Sequence, residues 1–285
     1  MTRCRASFER AAEFVFAAAH APDASVNHQL QALFGTSLAE KAGAPLAAAR
    51  VGEMAGELRG RLDHAYDAGG FDPFAHDAKL LLLCHGIMRS RGAESRALAS
   101  FTRETSATLR DVGTVPIGLT GLAHLLTAMG EGPFRTSRAG DGGSFPSVRS
   151  LLLAENGVLR QLCNTVAGAT LFGARKAPGT DPGLLLALPV LLLQKLSEYD
   201  LILGTTLLRT LAYLDVPDPE AVDWATRYLE SQQQSDGRFG YYARELAEGP
   251  ELRTVDQNLH LPVTVSVLWA LAETSVPGFQ LVDRV

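Results

Sequence analysis

The chain has 285 residues, 46% of them hydrophobic and 20% charged, a balance that excludes disorder and low-complexity structure. Lys and Arg number 26 against 31 Asp and Glu, a formal net charge of −5, so the clustered basic footprint that nucleic acid requires is missing. Three scattered cysteines, Cys4, Cys84 and Cys163, make no disulfide framework and suit a reducing cytoplasm.

Helical periodicity starts at the first residues. Arg3 and Arg5 precede an apolar stretch, but Glu9 and Glu13 interrupt it, which a signal peptide avoids. Phe8, Ala12, Val15 and Ala19 instead share one face of an amphipathic helix over about 5–19. Val26, Leu30, Leu33, Phe34 and Leu38 predict a second helix over about 25–41. Met54, Leu58, Leu62 and Tyr66 predict a third over about 46–66, with Glu53, Glu57, Arg61 and Asp63 off the stripe. Further helices are expected over about 73–90, 93–110, 115–129, 147–163, 165–175, 183–196, 199–214, 219–233 and 258–273. Asp72-Pro73, Asp181-Pro182 and Asp218-Pro219 each place a capping carboxylate before a proline at a helix start. Gly69-Gly70, Gly130 and Gly142-Gly143 mark stops. Strand signals are nearly absent, and two longer irregular stretches remain, 131–146 and 235–255.

The longest apolar run, Gly183 to Leu193, is too short to span a bilayer and contains Pro189, so no membrane span is expected. No linker divides the chain, and one domain over 1–285 is expected. The stretches 80–88 and 201–211 are apolar nearly all round, whereas 46–66 and 93–110 are amphipathic. Covered inner helices alternating with amphipathic outer ones predict an all-α toroid, a ring of about six helix pairs.

The segment from Asp223 to Gly240 carries a resemblance. It runs through Leu229-Glu230-Ser231-Gln232-Gln233 and the turn Asp236-Gly237-Arg238-Phe239-Gly240. This resembles a repeat of the prenyltransferase and squalene-cyclase superfamily. There a helix ending in Leu-x-x-Gln-Gln is followed by a turn Asp-Gly-x-aromatic-Gly and an apolar inner helix. Here that inner helix would span Leu261 to Leu271. His76-Asp77 and Tyr199-Asp200 open two similar but degenerate inner helices, and Asp141-Gly142-Gly143-Ser144-Phe145 is similar to a decayed second turn. The likeness is clear over about the last 90 residues, and it implies an α/α-toroid around a cavity. The family's catalytic patterns are missing. Neither Asp-x-Asp-Asp nor Asp-Asp-x-x-Asp occurs, and Arg238 stands where a zinc-binding Asp-x-Cys would need cysteine. Aromatic residues total only 7%, thin for a pocket that cradles carbocations.

Cys84-His85-Gly86 resembles the zinc-binding Cys-His-Gly of lanthionine cyclases, but Cys4 is the only upstream cysteine and sits in the first helix. A buried cysteine in an apolar helix is the plainer expectation, and neither metal nor cofactor is predicted. His124 is flanked by leucines and reads as a core histidine.

The candidate site is positional. Asp77, Asp200 and Asp256 stand near the starts of apolar helices, with His76, Tyr199 and His260 beside them. If those helices form an inner ring, their starts converge on one cavity mouth, where Glu198, Gln257, Asn258 and Tyr242 would join them. Asp200, Asp256, His260 and Asp77 are the expected acid–base groups, and Tyr199, Tyr242, His76 and Glu198 the expected binding groups. The competing expectation is helix capping, which favours acidic residues in a first turn for local reasons. Three functions follow. The first is a metal-independent acid–base cyclase or lyase of bacterial specialised metabolism, cytoplasmic and acting on a small molecule. The second is a non-catalytic binding or scaffold protein that keeps the ring. The third is a zinc enzyme similar to the lanthionine cyclases.

Overall fold

A computed structural model describes residues 2–136, 148–175, 182–215, 218–240, 252–279 and 281, without the side chains of residues 2–4, 117 and 252–258. The regular elements among the described residues are all helices, with no strand among them. The helices are α1 Thr2–Ala19, α2 Val26–Lys41, α3 Ala47–Asp67, α4 Ala78–Ser90, α5 Arg96–Asp111, α6 Thr120–Ala128, α7 Val148–Leu152, α8 Asn156–Ala169, α9 Pro182–Ser197, α10 Leu201–Leu214, α11 Pro219–Ser231 and α12 Leu252–Ser275. No helix among the described residues is long and apolar enough to cross a membrane.

The chain divides into two compact units, residues 1–101 with 228–279 and residues 102–227 with 280–285. In the first unit α2 is central. It packs on α1, α3, α4 and α12, while α1 also meets α12 and α3 also meets α4. Its core is aliphatic: Leu30, Leu33 and Leu38 of α2, Leu58 and Leu62 of α3, Leu81 and Leu82 of α4, and Leu261 and Leu268 of α12 are all buried. The Trp269 ring meets Phe34 edge-on, with centroids 5.2 Å apart. In the second unit α8 packs on both α6 and α10, α9 on α10, and α7 on α9. Leu126, Leu159, Val166, Leu188, Leu192, Leu203 and Leu207 fill that core. Burying one such leucine stabilises by roughly 1.5–3 kcal/mol, so these stripes set the helix faces.

Local chemistry starts the helices. The Ser25 hydroxyl accepts from His28 N–H, and His28 Nδ1 accepts from Ser25 N–H, a reciprocal cap on α2. The start of α5 is capped from another helix: Asp63 Oδ1 on α3 accepts from Arg96 N–H at 2.8 Å and from the Ser95 hydroxyl at 2.7 Å.

The structure corrects several expected boundaries. The helix expected over 73–90 is a single 3-10 turn, Pro73–Ala75, followed by α4, because Asp77 takes an extended conformation and caps the second piece. The helix expected over 147–163 breaks at 153–155, where Glu155 is extended and starts α8. That helix then runs to Ala169. The stretch expected to be helical to 175 instead turns, with Leu171 and Phe172 at φ 53° and 54°. Burial of Phe172 offsets the strain of that turn, and Arg175 Nε closes it on the Ala169 carbonyl at 2.7 Å.

Candidate functional site

The expected site residues are shared between the two units. His76, Asp77, Asp256 and His260 belong to the first, and Glu198, Tyr199 and Asp200 to the second. Tyr242 lies outside the described residues, as do the side chains of Asp256, Gln257 and Asn258 and the whole of the decayed turn 141–145.

Asp77 is exposed and caps α4, its Oδ1 accepting from Leu80 N–H at 2.9 Å. Asp200 does the same for α10, Oδ1 accepting from Leu203 N–H at 3.0 Å, while Oδ2 accepts from the Asn156 amide at 3.0 Å. Both carboxylates thus satisfy helix amides that would otherwise lack partners. Beside Asp77, the His76 ring stacks on Phe71 with centroids 6.1 Å apart. Its Nδ1 is buried and without a hydrogen bond. Burial lowers the pKa of His76, against the pull of the Asp72 carboxylate. Glu198 accepts from Lys195 Nζ at 2.6 Å and from the Gln194 amide at 2.7 Å, and these bonds hold its carboxyl below the usual range. Tyr199 sits at φ 65° in the turn between α9 and α10.

His260 is buried, and its Nδ1–H donates to the Phe239 carbonyl at 3.1 Å. The bond belongs to the turn that carried the family resemblance. Phe239 is itself fully buried, and its N–H donates to the Thr264 hydroxyl at 3.0 Å. Gln233 and Gln234 tie the same turn together. Gln233 Nε2 donates to the Ser7 and Gly237 carbonyls, and its Oε1 accepts from the Ser7 hydroxyl and Arg10. Gln234 Nε2 donates to the Gly240 carbonyl at 2.7 Å. The paired glutamines are therefore clamps between the end of α11, the turn and α1, and His260 secures the far side on α12.

Cys84 is fully buried, and its thiol donates to the Leu30 carbonyl at 3.2 Å. Burial raises its pKa, so it stands as a neutral thiol. The neighbouring His85 is 2% exposed, with Nδ1 unpartnered and Nε2 3.9 Å from Glu94. The side chain of Cys4 lies outside the description. His124 faces Phe172, ring centroids 6.4 Å apart.

One cluster escapes the sequence reading. His20, Glu53 and Glu57 bring three donor atoms within 4.8 Å of one another on the surface of the first unit. The signal available was Glu53 and Glu57 one turn apart. Nothing local points from them to His20. No family model, curated protein or solved structure matches the chain.

Proposed function

We propose that the chain is a binding or scaffold protein of the α/α-toroid type, in which the polar groups at the helix starts serve the fold and not a reaction. The observation that carries this reading is the occupation of Asp77 and Asp200, each bonded to the amide three residues into its own helix. His260 is likewise engaged in holding the 233–240 turn. A general acid or base must present its proton or lone pair to a substrate. Here one oxygen of each aspartate and Nδ1 of His260 serve the backbone, and the second oxygen of Asp200 serves the Asn156 amide. The toroid component draws support from each unit taken alone. In one, α12, α2 and α4 pack in succession with α1 and α3 against them, and in the other α6, α8 and α10 pack in succession with α9 against α10. Alternate helices in such rows are what the inner and outer layers of a ring require.

The test is incubation of the purified chain with a cell-derived small-molecule extract, followed by mass spectrometry of the bound and free pools. The expected result is retention of unchanged molecules in no more than stoichiometric amount. A product that accumulates far beyond the protein concentration and vanishes with Asp200→Asn would overturn the reading in favour of an acid–base enzyme.

A further inference from the structure

We propose that His20, Glu53 and Glu57 form a surface site for a divalent transition-metal cation of the zinc class. Glu53 and Glu57 stand one turn apart on α3, so their carboxylates leave the helix on one face. His20 comes from the residue that follows α1, a helix packed on α3.

The imidazole is placed from outside the cluster. Its Nδ1 meets the Phe16 carbonyl at 2.8 Å, and its ring lies against the Phe16 ring with centroids 4.2 Å apart. A carbonyl can only accept, so the proton is on Nδ1 and Nε2 turns toward the carboxylates, 3.0 Å from Glu57 Oε2. A backbone carbonyl that fixes one ring nitrogen while the other faces outward is the outer shell typical of metal-ligating histidines. With neutral imidazole, Nε2 and the carboxylate oxygen are two acceptors face to face. That contact becomes favourable only with positive charge between them, either a second proton or a metal ion. One proton would still leave two carboxylates against a single cation. Arg50, on the same side of α3, lies 4.8 Å above the Phe16 ring and 4.0 Å from Glu13, its Nη1 buried without a hydrogen bond. A divalent ion neutralises the cluster fully.

The donor set selects among ions. One imidazole nitrogen with two carboxylate oxygens suits zinc, nickel or copper, whereas magnesium and calcium prefer oxygen alone. Zinc bonds of about 2.0–2.1 Å place tetrahedral donors about 3.3 Å apart. The His20–Glu57 pair is already near that spacing, and exposed Glu53 closes the remainder by a rotamer change. The fourth position is left to water.

The test uses the full chain and zinc chloride alone. Nuclear magnetic resonance should show the His20 ring signals shifting saturably with zinc, and not with an equal concentration of magnesium. Titration calorimetry should show at least a tenfold loss of zinc affinity in His20→Ala and in the double variant Glu53→Gln/Glu57→Gln. All three side chains are exposed, so these variants are expected to keep the wild-type circular dichroism. His20 signals unmoved by zinc, or moved equally by magnesium, would overturn the proposal. So would variants that bind zinc as tightly as the wild type.

Discussion

Gly237 lies directly against the main-chain carbonyl of Arg10, leaving no room for a β-carbon at residue 237. The same residue has φ +95°, a conformation that L side chains rarely adopt. The docking of the 233–240 turn onto α1 thus depends on glycine twice over. Gly237→Ala is expected to destabilise the protein by roughly 3 kcal/mol, combining left-handed strain with overpacking against rigid backbone. Urea denaturation measures it as a lowered midpoint. A midpoint equal to wild type would show that the turn does not need this close approach.

Asp77 and Asp200 offer a test that separates capping from chemistry. Asparagine caps about as well as aspartate, whereas alanine does not. Asp200→Asn should therefore change stability by less than about 0.5 kcal/mol, and Asp200→Ala should lower it by about 1 kcal/mol. Asp77 should follow the same pattern. Thermal melts of the four variants check it. Equal stability of the alanine and asparagine forms would remove the capping role.

His85 predicts a stability slope in mild acid. Burial holds its pKa to about 4, below the ordinary 6.5, with Glu94 opposing and Arg89 adding. Between those values the unfolded chain binds the proton and the folded chain does not. Stability contributed by neutral His85 is therefore full above about 6.5 and is lost as pH falls toward 4, by roughly 3 kcal/mol in all. His76, lowered in the same direction, steepens the trend. Urea unfolding at intervals across that window should give a flatter profile for His85→Gln than for wild type. Parallel profiles would count against a neutral buried His85.

Cys84 and Cys163 are both buried with raised pKa values. Thiolate is the reactive form, so both should resist an aromatic disulfide reagent in the native state. In a Cys4→Ser background, no thiol should react at pH 7.5 until denaturant is added, and then two should. Rapid labelling of one thiol in the folded protein would show that its environment is open.

Much of the local structure was legible from the sequence. The stripe Leu30, Leu33 and Leu38 predicted the buried face of α2, and Asp77 and Asp200 were recognised at the starts of their helices. The expected convergence of those acids could not be read in the same way, since it concerns residues more than a hundred positions apart. The break at 153–155 was hidden because 147–163 holds no proline or glycine pair to mark a stop.

The sequence by itself determined an all-helical protein, because apolar spacing and capping residues act within one or two turns of chain. Tertiary structure alone decided which polar groups are spoken for. Gln233 is clamped to Ser7 and Arg10, Asp63 caps a helix it does not belong to, and Glu57 meets His20. Each of these pairs is distant in the chain, and a hydrogen bond or ion pair depends on separation in space, which no local periodicity encodes.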